Sequence, residues 1–343
     1  MPLNKISGKY EFTKIGLSNL DLNEFNDLPD KSVLTTKEWI EYISEDSNAS
    51  PVILRITECK KFLGYFVSLL TVKFGVKIIA SPFPGWSTVH MGLDLLENRS
   101  KLEIISELIP FLYKSEKCVF VQITDRDITV DMAKQAGYHV STVDTLELPI
   151  NFDDNGLFKN MKVDCRNYIR QFERRGASLE VAEPNDEFAE EYYNQLKDVF
   201  AKQNLVPTYS LKKVKCLLRN MGESGNILCL RVRNPEGQSI ASSIFPGYNK
   251  KFFFWGGASY RLSQSYRPNE YMIYSAIQYW RDRGCEIFDM VGIRDYKRKF
   301  GSQEKYYASI ISAKYDVLIP LQKTAAKLYY LGIKLKGFIL KRK

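Results

Sequence analysis

Hydrophobic and polar positions form blocks along the chain that predict strands and helices in turn. Apolar runs predict strands over 52–58, 62–75, 76–80, 118–123 and 138–149 in the first half, and over 227–233, 239–245, 251–255 and 287–291 in the second. A period near 3.6 residues predicts helices over 35–47, 102–112, 157–176, 186–203, 210–221 and 269–283. Together these elements indicate an α/β (α+β) fold.

The same order of elements occurs twice along the chain. Offsets of 174, 175 and 168 residues separate the matched strand positions Leu54 and Leu228, Ile78 and Phe253, and Val119 and Ile287. Near-constant offsets indicate two copies of one unit. For a chain of 343 residues we therefore expect two domains, 1–150 and 151–316, followed by a basic segment, 317–343.

Charge and composition narrow the class of protein. The net charge is +9, but residues 317–343 contain seven lysines and arginines and no acid, so the remainder carries only +2. General nucleic-acid binding therefore does not follow from the charge. No apolar run approaches the ~20 residues that span a bilayer, the N-terminus lacks the apolar core of a signal peptide, and the six cysteines form no CxxC pair. This combination predicts a cytoplasmic protein with reduced thiols.

Histidine chemistry has little support in the sequence. His90 and His139 are the only histidines, and no cysteine stands beside either of them. A Ser-His-Asp triad, a histidine-based metal site and a cysteine nucleophile are therefore all disfavoured. We expect no metal.

The stretch 252–302 predicts a ligand cleft. An aromatic run ends at Gly256–Gly257, where missing side chains allow close approach of a ligand or another backbone. A helix then begins near Asn269, its expected N-cap, and a second buried strand is followed by a charged loop. The order strand, glycine pair, helix, strand, loop is typical of a cleft where two strands part.

Four segments of the second half resemble a known family. They are NYIRQFERRGASLEV (167–181), GGAS (256–259), RPNEYMIYSAIQYWRDRGCEIFDMVG (267–292) and YKRKFGS (296–302). These segments resemble the FemABX-like and BioF2-like acetyltransferases of the GNAT superfamily, and SPFPGWSTVHMG (81–92) is similar to the matching N-terminal region. The resemblance implies a tandem of two GNAT-like domains, each with a mixed, mainly antiparallel sheet flanked by helices. The sequence departs from the family pattern in two places: Tyr296 replaces the phenylalanine before the motif lysine, and Gln203 stands where many members carry an arginine.

The motif and the cleft together indicate the site residues. We expect Lys297 and Asp289 at the catalytic positions. The expected substrate-binding residues line the cleft or a basic helix face, and they are Trp255, Gly256, Gly257, Asn269, Glu270, Tyr296, Lys299, Gly301, Arg166 and Arg170. Backbone N–H groups near 255–257 are the expected oxyanion donors.

Each assignment has a structural alternative. Lys297 either neutralises a tetrahedral intermediate or only holds its loop by pairing with Asp295 or Asp289. Asp289 is either a base or a structural acid, and Asn269 and Glu270 either face substrate or cap a helix. The stripe formed by Lys162, Arg166, Arg170 and Arg174 either binds phosphates or is a solvated helix face.

The resemblance implies an N-acyltransferase acting on an amine of a cell-envelope glycan precursor, either an amino sugar or a peptidoglycan stem peptide. The donor is an acyl-CoA, an acyl carrier protein or an aminoacyl-tRNA, and the precursor is linked to a nucleotide or a lipid. Residues 317–343 have the lysines and leucines of an amphipathic helix, which either contacts an anionic membrane or docks on its own domain. The rival function is a non-catalytic protein that binds a membrane or an assembly partner through this segment.

Overall fold

The structure is a computed structural model that describes residues 8–73, 75–202, 205–315 and 317–320. Within them the chain folds into two compact units, residues 8–143 with 306–320 and residues 144–305. The linear division predicted from the sequence places 306–316 in the second unit. The chain returns to the first unit because residues 309–313 pair with a strand at 120–124. The predicted basic helix falls largely on residues 321–343, outside the described residues.

The described chain alternates strands with helices. Its strands are β1 (Tyr10–Ile15), β2 (Ser50–Glu58), β3 (Lys61–Lys73), β4 (Val76–Ser81), β5 (Gly92–Leu95), β6 (Phe120–Thr124), β7 (His139–Pro149), β8 (Ser178–Val181), β9 (Ile227–Arg233), β10 (Ser239–Tyr248), β11 (Lys251–Phe253), β12 (Gly256–Ser259), β13 (Ile287–Asp289) and β14 (Gln303–Ala313). Its α-helices are α1 (Leu22–Asn26), α2 (Lys37–Ser47), α3 (Lys101–Ser115), α4 (Val130–Gln135), α5 (Asp154–Asn160), α6 (Val163–Arg174), α7 (Asp186–Lys202), α8 (Leu211–Met221), α9 (Pro268–Arg281) and α10 (Asp295–Arg298). Short 3-10 helices cover Leu17–Asn19, Val33–Thr35, Gly222–Ser224 and Arg261–Tyr266.

The first unit has a mixed, mainly antiparallel sheet in the order β1-β2-β3-β4-β6-β14, and β5 pairs with β3 beyond the end of β4. Only β4 and β6 are parallel. Helix α3 contributes Ile104, Ile105, Leu108 and Leu112 to the core beneath the sheet. Its apolar residues recur at spacings of three and four, so one face is buried and the other is solvated.

The second unit repeats this arrangement. Its sheet order is β7-β13-β11-β10-β9-β8, β12 pairs with β10 beyond the end of β11, and β11 and β13 are the parallel pair. Helix α9 buries Met272, Ile273, Ala276, Ile277 and Trp280 against this sheet. The two-unit, mainly antiparallel architecture predicted from the sequence is confirmed.

Two predicted elements are wrong in detail. The helix predicted over 157–176 is two helices, α5 and α6, because the backbone is extended at Met161 and Lys162. The strand predicted over 251–255 ends at Phe253, and a new strand begins at Gly256 with a different partner. Apolar content in both stretches is continuous, so periodicity alone does not reveal the breaks.

Candidate active site

The sheet of the second unit opens at Phe254 and Trp255. Phe254 N donates to Asp289 O at 2.9 Å, which is the last bond toward β13, while Trp255 N donates to Ile244 O of β10 at 3.1 Å. Beyond this point β12 follows β10, and no strand of the described residues pairs with the other edge of β12. The sheet therefore presents a free backbone edge where the sequence predicted parting strands.

The free edge presents the N–H of Gly257. Tyr260 N donates to Ile240 O at 3.0 Å, and the register pairs Ser243 with Gly257. Antiparallel ladders alternate between residues whose N–H points to the partner strand and residues whose N–H points away. Counting back from Tyr260, the N–H of Gly257 points away from β10 and toward the free edge.

Neighbouring atoms leave no room for a side chain at either Gly256 or Gly257. A Cβ on Gly256 would lie 2.2 Å from the hydroxyl oxygen of Tyr192, and a Cβ on Gly257 would lie 2.6 Å from Ser243 Oγ and 3.0 Å from the ring of Phe254. Neither residue has a positive φ, so close approach, and not backbone conformation, selects glycine here. The glycine pair singled out in the sequence thus lies at two crowded Cα positions.

An aromatic group lies against Gly256. The hydroxyl oxygens of Tyr192 and Tyr209 are 2.5 Å apart, and the ring of Trp255 lies 6.2 Å from that of Tyr192 and 5.1 Å from that of Tyr209. Burial raises the pKa of Tyr209 to about 12 and the pKa of Tyr192 well above its usual value. Both phenols are therefore protonated near neutral pH and act as hydrogen-bond donors. Sequence reasoning missed both tyrosines, because each lies among many other dispersed aromatic residues.

Lys297 holds the loop that follows β13. Its side chain is buried, and Nζ donates to the carbonyl oxygens of Met290 at 2.5 Å, Val291 at 2.6 Å and Gly292 at 3.4 Å. Positive φ angles of 54° at Val291 and 74° at Gly292 turn the backbone around the ammonium. Burial lowers the pKa of Lys297 to about 8, against the opposing attraction of Asp289. Asp295, one of the two partners that the structural alternative offered, lies on the surface instead, with its Oδ1 3.7 Å from Arg298 Nε.

Asp289 ends β13 as a buried acid. Its Oδ1 accepts from Thr145 Oγ1 at 2.5 Å and from Val291 N at 2.8 Å. These bonds tie the end of β13 to β7 and to the turn that Lys297 holds. Thr145 is a further residue that the sequence did not reveal, because it precedes Asp289 by 144 positions.

Comparisons with known proteins give a domain family and similar folds. Residues 159–298 match the family described as acetyltransferase (GNAT) domain. The solved structure of FemX aligns with a TM-score of 0.70 at 14% identity, covering 88% of this chain and 97% of FemX. The matched residues form an acetyltransferase (GNAT) domain, and the chain shares the fold of FemX. No curated protein sequence matches the chain.

Two further solved structures, a putative lysylphosphatidylglycerol synthetase and L-PGS, share the fold of this chain. The C-terminal domain of the putative Agrobacterium fabrum enzyme has a TM-score of 0.55 at 10% identity, covering 90% of this chain and 96% of that one. The Bacillus licheniformis structure has a TM-score of 0.51 at 11% identity, covering 93% and 99%. At such identities the similarity extends to the fold and not to the substrate.

The N-terminus of α9 differs from its prediction. Asn269 is not the N-cap: Pro268 takes the first helical position, where its missing N–H is harmless, and Arg267 caps the helix with a φ of 58°. Asn269 Nδ2 instead donates to Ser259 Oγ at 3.3 Å. Glu270 pairs with Lys299, so these two predicted binding residues neutralise each other.

The remaining predicted residues lie at α5, α6 and α10. Arg166 donates to Phe158 O at 3.2 Å, and the Arg170 guanidinium lies 5.9 Å from the Phe158 ring centre. Gly301 has a φ of 88°, and a Cβ there would lie 2.6 Å from Asn160 O, so its role is close packing. Tyr296 is 44% exposed beside Lys297. Their substrate-binding roles stay predictions.

Two other kinds of feature are absent from the described ranges. Among residues 8–73, 75–202, 205–315 and 317–320, no cluster of three or more His, Cys, Asp or Glu side chains is placed to bind a metal ion. No helix in the same ranges has the length and hydropathy needed to cross a membrane.

Proposed function

We propose that this protein transfers an acyl group from a coenzyme A thioester to the amine of a cell-envelope glycan precursor. The observation that carries the proposal is the free edge of β12, where the Gly257 N–H points away from the sheet beside a loop held by Lys297. A glycan precursor as acceptor, either an amino sugar or a stem peptide, is supported by the family resemblance.

The free edge supplies what acyl transfer requires. The amine attacks the thioester carbonyl, a C–N bond forms, the C–S bond breaks, and the proton lost by the amine balances the proton gained by the thiolate. Charge develops on the carbonyl oxygen, and a fixed backbone N–H stabilises it without reorganising. The N–H of Gly257 is in position for this role. Lys297 acts as a positioning residue, because its three donors hold carbonyl groups of the facing loop.

The start of α9 supports a donor that carries phosphate groups. Arg267 caps this 14-residue helix and stacks 4.2 Å from the ring centre of Tyr168. Its Nε is buried and has no hydrogen-bond partner among the described residues. A helix N-terminus and an arginine both favour anions. The diphosphate of coenzyme A fits this combination, and the donor is proposed on that basis.

The test is an assay of thiol release from acetyl-CoA with glucosamine, a UDP-linked amino sugar or an alanyl peptide as acceptor. We expect release that depends on an amine and a rise in melting temperature with CoA, because a ligand that binds the native state stabilises it. A melting shift with transfer RNA and none with CoA thioesters would overturn the donor. No shift and no release with any donor would favour the rival, non-catalytic binding function.

A further inference from the structure

Tyr192 and Tyr209 hold one more hydroxyl proton than their mutual hydrogen bond uses. Two phenols carry two protons, and the 2.5 Å contact between their oxygens accounts for one. No residue in the described ranges accepts the other. Tyr192 is fully buried and Tyr209 is half-buried, and both hydroxyl oxygens lie against Gly256.

Trp255 adds a second donor without an acceptor. Its Nε1 is buried and has no hydrogen-bond partner within the described part of the chain. An unpaired buried N–H is costly, and such groups are rare in folded proteins. Trp280 Nε1 shares this condition, but its ring is only 3% exposed and lies in the core against Phe252. Trp255 is partly exposed at the break in the sheet, where a ligand oxygen can reach the donor after a small side-chain movement.

The surroundings of the two phenols are aromatic. Burial is the main cause that raises the pKa values of Tyr192 and Tyr209, and the neighbouring groups that raise them further are other tyrosines: Tyr193, Tyr209 and Tyr296. A group carrying carboxylates, such as a stem peptide, would need arginine or lysine at this place. A sugar ring needs what the structure offers, since its C–H faces pack on aromatic rings and its hydroxyl and acetamido oxygens accept hydrogen bonds.

We propose that Tyr192, Tyr209 and Trp255, here named the aromatic box, bind the sugar ring of the acceptor. The proposal rests on the proposed function, because it selects an amino sugar over a stem peptide for the same site. Gly256 contributes to this site, because the absence of a Cβ lets both hydroxyl groups approach the strand at the free edge.

The test is direct binding to the full chain, observed by saturation-transfer NMR with two probes, N-acetylglucosamine and N-acetyl-alanyl-alanine. We expect the sugar to bind and the peptide to give no competing signal. Trp255→Phe and Tyr209→Phe each remove one donor and keep most of the ring surface. Each should weaken sugar binding about threefold to tenfold, the loss expected for one hydrogen bond.

Trp280→Phe is the matched control, because it removes an unpartnered indole N–H from the core and should leave sugar affinity unchanged. The proposal is overturned if the wild-type chain binds no sugar, if the two box variants bind it as the wild type does, or if the peptide binds and the sugar does not. The NMR experiment measures sugar binding and does not require the enzyme to turn over. A failed thiol-release assay would therefore overturn the proposed function, whereas the aromatic box is tested by the binding measurement alone.

Discussion

The same strand break occurs in both units, but the segment that spans the break is much longer in the first unit than in the second. In the second unit only Phe254 and Trp255 separate β11 from β12. In the first unit the loop 82–91 separates β4 from β5. In both units a backbone hydrogen bond to the end of the parallel strand precedes the free edge. Met91 N donates to Thr124 O at 3.1 Å in the first unit, and Phe254 N donates to Asp289 O at 2.9 Å in the second.

The second residue of the resumed strand reveals the difference. In β5 this residue is Leu93, and its N–H donates to Asp125 Oδ2 at 3.1 Å. The Asp125 carboxylate is buried and is also bound by Lys101 Nζ at 3.0 Å. In β12 the second residue is Gly257, and no side chain among the described residues accepts a hydrogen bond from its N–H. The first unit therefore fills with its own carboxylate the position where the function proposed above places a ligand oxygen in the second unit.

The two units therefore differ at one position of a shared strand order. In the first unit an aspartate provides the oxygen at the edge N–H, and its role is structural. Under the function proposed above, the same position in the second unit takes the oxyanion of a substrate. Sheet topology does not reveal this difference, because both units have the same strand order; the residue that follows the parallel strand does.

The largest expected effect comes from removing the internal carboxylate. Asp125→Ala should lower the free energy of unfolding by about 3–5 kcal/mol, the cost of breaking a buried ion pair from one side. Chemical denaturation of the full chain measures this. Asp127→Ala is the control: it removes the other, largely exposed partner of Lys101 and should cost about 0–1 kcal/mol. Equal effects of the two variants would contradict a structural role for the filled edge.

The next effect concerns activity and not stability. Gly257→Ala places a Cβ 2.6 Å from Ser243 Oγ and 3.0 Å from Phe254, which shifts the free edge. We expect kcat/KM for acyl transfer to fall about 100-fold, since misplacing catalytic groups by ~1 Å has effects of this size. Gly16→Ala is the matched control, because Gly16 has an ordinary φ of −71° and its nearest neighbour would be 3.6 Å away. Full activity of Gly257→Ala would remove the free edge from the mechanism.

The smallest expected effect is a pH dependence. The folded-state pKa of Lys297 is about 8, below its ordinary value of 10.5, so the unfolded chain holds more protons between these values. The stability of the wild type relative to Lys297→Met should therefore rise with pH across pH 8–10.5, by at most about 3 kcal/mol. Denaturation at pH 7.5, 9 and 10 measures this trend. Asp295→Ala is the control, and this variant should show the same dependence of stability on pH as the wild type. If the difference in stability between the wild type and Lys297→Met does not change with pH, burial does not lower the pKa of Lys297.

A large part of the fold was accessible from the pattern of apolar residues. Helices near 35–47, 186–203 and 210–221 and the strand at 227–233 are confirmed, because each has one clear period and a local start signal such as Thr36 or Ser210. The repeat is confirmed for the same reason. Predictions failed where two elements join without a change in composition, as at Met161–Lys162 and at Phe254–Trp255.

The sequence by itself determined the two-unit order of elements, the glycine pair at the break and the lysine of the loop, since these depend on local periodicity and on motif residues close together in the chain. Only the tertiary structure decided what each residue meets. Tyr192, Tyr209 and Gly256 come together from a helix, a loop and a strand, and Lys297 binds three carbonyl groups instead of an aspartate. Partners of this kind are set by packing between distant segments, and no periodicity along the chain encodes them.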